Sequence, residues 1–191
     1  ESDITLPNTV TRINDEALKG NKKIVSVTIP GSVKDIGNNA FQGCPNLKEI
    51  IFTNPDRNNN NLIIRVSAFQ DCPNLTTCEI PARAYQVVGN IFKGCTSLKE
   101  VKVNAKNPYY FTQDGVLFGP ALVNYQPQYE DAYTLQSYPA GREGAYTIPS
   151  TVHGKEIDQI WTSGFEGAAS LTDITIPASI GRLGTAAFES T

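Results

Sequence analysis

The sequence is poor in the residues that most often carry chemistry: its 191 residues include no methionine, one histidine, one tryptophan and four cysteines. Charged residues make up 18% of the chain, and the net charge is −3. Without an excess of positive charge, the chain lacks the attraction for phosphate on which nucleic-acid binding depends. No apolar run approaches the roughly 18 residues that a membrane-spanning helix requires. We therefore expect no nucleic-acid partner and no membrane span in this segment.

Catalytic and metal-binding patterns are also missing. The closest cysteines, Cys72 and Cys78, have no second pair in the sequence, and His153 is the only histidine, so a zinc site lacks ligands. No nucleophile elbow or phosphate-binding glycine loop occurs. Glu130 and Asp131 are adjacent in an expected loop where nothing sets their spacing. The sequence therefore predicts no enzyme, no metal and no other cofactor.

What the sequence does contain is an internal repeat. Its anchors are six large apolar residues: Leu18, Phe41, Phe69, Phe92, Phe165 and Phe188. The successive gaps are 23, 28, 23, 73 and 23 residues, so three of the five are identical. A unit of this size cannot bury its own apolar side chains, and neighbouring units must stack to form one core.

Other residues keep fixed distances from each anchor. Positions −5, +6, +9 and +11 are almost always apolar, as Ile36, Leu47, Ile50 and Phe52 are around Phe41. The alternation at +8 to +11 predicts a short strand, which a following proline ends in several units. Glycine at +2 permits a tight turn with positive φ. Positions −8 to −5 predict a second strand or a helical turn on the far side.

These residues resemble a known family. The unit Ile29–Ile50, the segments Asn107–Tyr110 and Asp114–Phe118, and the return from Tyr138 to Pro149 are similar to BspA-like bacterial leucine-rich repeat proteins, with repeats of the Treponema pallidum type. The resemblance implies a right-handed repeat solenoid with one curved parallel sheet, forming a single domain over 1–191 with about seven units. It also implies a secreted or cell-surface protein, and some members are implicated in adhesion. It supplies no catalytic residues.

The regular pattern is interrupted in three places. Asn54–Asn61 enlarges one unit, and His153–Glu156 adds a turn to another. The stretch 104–145 replaces the repeat with tyrosine, proline and glycine. Within it we expect an inserted hairpin with strands Val116–Phe118 and Leu122–Tyr125.

The cysteines follow the repeat. Cys44, Cys72 and Cys95 each stand three residues after an anchor, and Cys78 occupies a +9 position. The column favours small buried thiols, because Ala168 fills the same position in a later unit and reduced cysteine is commonly buried. A redox pair or a disulfide ladder is the alternative.

Side chains alternate along a strand, so positions +8 and +10 should face outward if +9 and +11 face inward. This exposed row is the candidate binding face of the curved array, and a merely solvated face is an equal alternative. The row consists of Ser26, Thr28, Glu49, Ile51, Thr77, Glu79, Glu100, Lys102, Asp173 and Thr175.

Tyrosines concentrate in the irregular stretch. Tyrosine combines an apolar ring with a hydroxyl and suits interfaces and sugar stacking, although it also fills irregular cores. The candidate aromatic patch consists of Tyr109, Tyr110, Tyr125, Tyr129 and Tyr133.

The function predicted from these features is a non-enzymatic surface or secreted module that binds another protein, from a host or a bacterial surface. A carbohydrate-binding module or a structural spacer is the alternative. Neither end of the chain reads as a polar cap. We therefore expect a fragment of a longer array, or self-association through uncapped ends.

Overall fold

The computed structural model describes residues 2–53, 61–123 and 126–191. For residues 122–123 and 126–131 it describes the backbone but not the side chains. The described residues form short β-strands joined by turns, and no helix occurs among them. The strands are β1 Ser2–Thr5, β2 Arg12–Ile13, β3 Ile24–Ile29, β4 Asp35–Ile36, β5 Glu49–Phe52, β6 Leu62–Ile64, β7 Thr77–Ile80, β8 Ala84–Val87, β9 Lys102–Val103, β10 Phe111–Gln113, β11 Val116–Val123, β12 Gln126–Ser137, β13 Gly144–Thr147, β14 Thr151–Val152, β15 Lys155–Ile160, β16 Leu171–Thr175 and β17 Arg182–Leu183.

The chain coils into a solenoid of about seven turns, which confirms the predicted fold class. Each of the first turns contributes one strand to a main parallel sheet, ordered β1-β3-β5-β7-β9, and one to a second parallel sheet, ordered β2-β4-β6-β8. The strands predicted at +8 to +11 are those of the main sheet. The far-side segments are strands, one of the two predicted alternatives, and they form the second sheet.

Corner loops around each anchor connect the second sheet to the main sheet. The anchor amides of Leu18, Phe41 and Phe69 donate to the carbonyl that precedes the next anchor, over 2.8, 2.8 and 3.1 Å. The residue at +2 continues this ladder, and it has positive φ whether it is Gly43 (68°) or Asp71 (55°). The turn predicted from glycine at +2 is therefore present, and an aspartate adopts the same conformation.

The anchor side chains stack in a single file inside the first part of the solenoid. The ring centroids of Phe41 and Phe69 are 5.5 Å apart, and those of Phe69 and Phe92 are 5.9 Å apart. All three rings are buried. The spacing of the anchors thus translates directly into a stacked core.

The insertion is a meander of antiparallel strands. β11 pairs with β10 on one side and with β12 on the other. The predicted strand Val116–Phe118 is part of β11, but the predicted partner Leu122–Tyr125 is wrong. Leu122 and Val123 end β11, because the chain continues its first strand past Gly119 and Pro120 before it turns, and the returning strand begins at Gln126. Tyr125 lies outside the described residues, as do Asn54–Asn60 of the enlarged unit.

The solenoid resumes within β12. The second half of this strand runs parallel to β15, which in turn pairs with β17, so it occupies the place of a second-sheet strand. Tyr138 follows as a seventh anchor: its amide donates to the Gly164 carbonyl over 2.7 Å, and its ring stacks on Phe165 with centroids 4.9 Å apart. β13 and β16 then continue as a separate parallel pair. The insertion therefore divides the buried side chains into two core clusters.

Asn90 connects the two parts. Its Oδ1 accepts from the Phe92 amide (3.2 Å) and from Ser137 Oγ (2.7 Å), while its Nδ2 donates to the Ser163 carbonyl (2.8 Å). The side chain is 7% exposed. The Asn90 side chain thus accepts the Phe92 amide hydrogen bond that a carbonyl of the next unit accepts elsewhere in the ladder. It also contacts the insertion at Ser137 and the resumed solenoid at Ser163.

The four cysteines are free and buried, as predicted. Cys44, Cys72 and Cys95 lie close to the carbonyl oxygens of the preceding anchors Leu18, Phe41 and Phe69, over 3.1, 3.2 and 3.1 Å. Each thiol therefore donates to the backbone of the unit below it. The column is part of the packing between units.

Replacing the middle ring of the file should destabilise the protein strongly. We expect Phe69→Ala to lower the free energy of unfolding by about 3–5 kcal/mol, because it leaves a cavity between two rings. Leu183→Ala, at a side chain that is 59% exposed, should change it by only about 0.5 kcal/mol. Denaturant unfolding measures both values, and similar losses for the two variants would contradict the stacked file.

The Asn90 amide should matter more than other asparagines. We expect Asn90→Leu to cost about 2–4 kcal/mol, because the Phe92 amide, the Ser137 hydroxyl and the Ser163 carbonyl lose a buried partner. The matched control is Asn74→Ala, which removes one exposed bond to the Pro45 carbonyl and should cost about 0.5 kcal/mol. Thermal unfolding compares the two, and an equal loss would show that Asn90 does not join the parts.

The thiols should be unreactive in the folded protein. Burial raises the pKa of Cys78, and only a thiolate attacks a labelling reagent. We expect all four cysteines to react at least about a hundredfold more slowly than a free thiol near pH 8.5, until the protein is unfolded. Mass spectrometry after timed labelling measures this, and rapid native modification of Cys44 or Cys95 is the contrary result.

Candidate functional site

The exposed row on the main sheet is built by the parallel register. Ser26 pairs with Glu49 and Glu49 with Thr77, while Thr28 pairs with Ile51 and Glu79 with Lys102. The inward residues of these strands, such as Val27, Ile50 and Cys78, are buried. Ser26 and Thr28 are half-buried, and the other eight residues of the row are exposed. The alternation predicted from the sequence is therefore present.

The row is divided into two patches. Eight of its residues, from Ser26 to Lys102, lie on or beside the main sheet, whereas Asp173 and Thr175 lie on β16 beyond the insertion. Because β16 pairs only with β13 and not with β9, the predicted continuous face is interrupted there. The two patches therefore lie on separate sheets.

The first patch is acidic and contains an apolar centre. The eight residues of the first patch include three carboxylates, Glu49, Glu79 and Glu100, and one basic residue, Lys102, whose Nζ lies 3.1 Å from Glu100 Oε1. Glu79 is held in place by Asn104, which donates Nδ2 to its Oε1 over 2.9 Å. Ile51 is 38% exposed between these carboxylates. A partner for this patch should offer positive charge around an apolar contact.

A cleft opens within this patch. β5 and β7 pair only at Glu49 with Thr77 and at Ile50 with Cys78, so their ends diverge. The resulting space, the Ile51 cleft, has a volume of about 250 Å³ and is lined by Glu49, Ile51, Thr77 and Glu79 among others. It lies where the enlarged unit leaves the main sheet after β5. The irregularity of the sequence therefore coincides with a recess in the sheet face.

The predicted aromatic patch is smaller than expected. Tyr110 is 1% exposed, and its hydroxyl accepts a hydrogen bond from the Val87 amide over 2.8 Å at the edge of β8. It therefore serves the core rather than a contact surface. Tyr109 packs edge-on against Tyr85, with centroids 5.7 Å apart. Tyr125 lies outside the described residues, and so does the side chain of Tyr129.

Tyr133, predicted as part of the contact patch, is instead a core residue that is 7% exposed and borders a cleft at the base of the insertion. This aromatic cleft has a volume of about 360 Å³, and its walls include Tyr110, Phe111, Tyr133 and His153. The Phe111 and His153 rings are stacked, with centroids 4.6 Å apart and planes 10° apart. His153 reaches this position from the turn between β14 and β15. The only histidine therefore packs on an aromatic ring.

Groups needed for metal chemistry are not assembled in the part of the chain that the structure describes. No cluster of three or more histidine, cysteine, aspartate or glutamate side chains is placed there to hold an ion. None of the described residues forms a helix with the length and apolar character needed to cross a bilayer. The candidate binding features of the described residues are therefore the exposed row of the main sheet, the Ile51 cleft and the aromatic cleft.

Two features of the structure are not among the sequence predictions. Tyr138 was not recognised as an anchor, although it lies 46 residues after Phe92, twice the repeat length. The other feature is a third cleft, beside Trp161, which has a volume of about 300 Å³ and is lined by the corner loops of the Phe69, Phe92 and Phe165 units. No sequence signal marks this cleft, because it depends on contacts across the insertion.

A family model described as BspA type leucine rich repeat region matches residues 2–113 and 145–191 in six copies. The unmatched gap corresponds to the insertion. A comparison with curated protein sequences finds no match.

Solved structures share the fold. A leucine rich cell surface protein from Faecalibacterium prausnitzii A2-165 is 27% identical, with a TM-score of 0.75, over 93% of this chain and 42% of that one. A leucine-rich repeat protein from Eubacterium ventriosum ATCC 27560 is 21% identical (TM-score 0.67), over 98% of this chain and 51% of that one. Pneumococcal vaccine antigen PcpA is 20% identical (TM-score 0.68), over 96% and 58%.

The chain thus spans between 42% and 58% of the length of these three structures. The latter two, at 21% and 20% identity, are similar in fold alone. The family match covers most of the chain, and its repeats are those whose anchors stack in the structure. This chain belongs to the BspA-type leucine-rich repeat family.

Proposed function

We propose that the chain is a non-catalytic module of a bacterial surface or secreted protein, and that it binds a partner protein through the first patch of the main sheet. The observation that carries this proposal is the Ile51 cleft, an apolar recess between Glu49 and Glu79 on an otherwise hydrophilic face. Protein interfaces combine such an apolar centre with a polar rim. Repeat solenoids generally bind their partners on extended faces of this kind.

The fold supports a rigid recognition surface. The main-sheet strands are fixed by backbone pairing and by buried residues beneath them, so the patch loses little conformational freedom on binding. Its carboxylates favour a partner with a basic surface, because complementary charge speeds association and aligns the partner. The cell-surface location is supported by the family and by the description of the F. prausnitzii protein as a cell surface protein.

A carbohydrate-binding role at the aromatic cleft is the second candidate. The stacked Phe111 and His153 rings provide flat apolar surfaces of the kind on which sugar rings stack, whereas the Tyr133 ring is only 7% exposed. The buried position of Tyr110 removes it from this role. A structural spacer role has no observation of its own to support it.

Charge reversal on the patch tests the first proposal. We expect Glu49→Lys combined with Glu79→Lys to weaken binding to a basic partner protein at least about tenfold, because it converts attraction into repulsion. Biolayer interferometry against a panel of purified extracellular-matrix and mucosal proteins measures this. The matched control is Glu156→Lys combined with Glu189→Lys, at two exposed carboxylates that are not on the main sheet.

The expected pattern is a partner that loses affinity for the patch variant, retains it for the control and binds less tightly as salt rises. If no protein in the panel binds, or if the patch variant binds as well as the parent, the proposed face is wrong. Binding that depends on Phe111 instead would favour the second candidate.

A further inference from the structure

A cleft lies beside Trp161, where the insertion interrupts the regular array. In the regular units, the corner loop from −4 to +2 stacks directly on the next corner loop. The Tyr138 unit has strand β12 in place of the first half of this loop. Residues from the corner loops of the Phe69, Phe92 and Phe165 units line a space of about 300 Å³, the Trp161 cleft, which is near the lower end of the size of small-molecule sites.

The two sides are held apart and in place by specific contacts. Asn90 donates to the Ser163 carbonyl at the base of the cleft, and Lys93 forms an ion pair with Glu166 beside it. Glu166 is 8% exposed, so its carboxylate is largely withdrawn from solvent, whereas the Lys93 side chain is 31% exposed. A cleft bounded by fixed groups on both sides is preorganised, which lowers the cost of binding a ligand.

One wall of the cleft is the indole of Trp161, the only tryptophan in the chain. The ring lies against Gly89, where a methyl group would stand 3.3 Å from Trp161 Nε1 and where φ is +75°. Glycine therefore permits the close approach that fixes the indole. The ring is half-buried, and the opposite wall includes Val66, which is 41% exposed.

Apart from Val88, the remaining lining is polar, and Lys93 is its one charged side chain. Ser67, Gln70 and Thr162 supply hydroxyl and amide groups that both donate and accept hydrogen bonds. An aromatic plate beside such groups suits a ligand with one apolar face and a rim of hydroxyls. A saccharide ring has this combination of surfaces.

The backbone around the cleft argues against an extended peptide. The Val66 and Gln70 carbonyls accept from Asn39 and Gly43, and the Ser163 amide donates to Thr185. These groups belong to the stacking ladder and are not an open strand edge, which recognition of an extended peptide by strand addition requires. Recognition here must therefore rely on side chains and stacking.

We propose that the Trp161 cleft binds a single saccharide ring, stacked on the indole and hydrogen-bonded by Ser67, Gln70 and Thr162. This site is separate from the protein-binding patch, which lies on the main sheet. A surface protein with both would contact a glycan at the corner of the solenoid and a protein on its sheet face.

Tryptophan emission, excited at wavelengths that tyrosine does not absorb, tests the proposal directly, because Trp161 is the only tryptophan in the chain. The full chain is titrated with glucose, galactose, N-acetylglucosamine and their β-linked disaccharides, and with a proline-rich peptide as the competing ligand class. We expect at least one saccharide to shift the emission saturably. Calorimetry with that saccharide should then show at least about a tenfold rise in Kd for Trp161→Ala and only a small rise for Trp161→Phe, which keeps a stacking ring.

Phe111→Ala, in the aromatic cleft, is the matched control and should bind like the parent. Circular dichroism checks that each variant folds, and Gln70→Ala replaces Trp161→Ala if the latter does not. The proposal is overturned if no saccharide gives a saturable shift or if only the peptide does. It is equally overturned if affinity survives both substitutions in the Trp161 cleft or is lost in Phe111→Ala. Neither result bears on the main-sheet patch, whose test uses other variants and other ligands.

Discussion

The architecture depends on one backbone interaction repeated along the chain: the amide of each anchor residue donates to the carbonyl that precedes the next anchor. This bond sets the distance and the register between turns. The anchor rings then meet face to face, the thiols at +3 reach the carbonyls below them, and the +8 to +11 strands come into parallel register. The buried file and the exposed row are both consequences of the same ladder.

The ladder is interrupted only once among the described units, and the interruption is where the molecule differs from a plain repeat array. After Phe92, whose amide bonds to Asn90 instead, the chain leaves the solenoid as a meander and returns through β12. Tyr110 supplies a hydroxyl to the edge of β8 at this point, and Tyr138 restarts the ladder. The aromatic cleft and the Trp161 cleft both lie beside this break.

The repeat itself was predictable, since a 23-residue period places Phe41, Phe69 and Phe92 in equivalent positions whatever their neighbours are. The outward row followed from the alternation of side chains. The insertion was not predictable in detail, because its contacts join residues far apart in the chain. Asn90 occupies the same position as Asn39 and looks like any other repeat residue, yet its partners are Ser137 and Ser163. The sequence could not distinguish a surface position from a core position for Tyr110, because its hydrogen bond with the Val87 amide cannot be inferred from local sequence.

Hydrogen exchange at the anchor amides tests the continuity of the ladder most directly. Native-state exchange followed by nuclear magnetic resonance distinguishes amides that open only on global unfolding from those that open locally. The structure predicts strong and similar protection at Phe41, Phe69 and Tyr138, because all three donate to the following unit. Fast exchange at Tyr138, with Phe41 and Phe69 protected, would contradict the account by showing that the solenoid does not resume after the insertion.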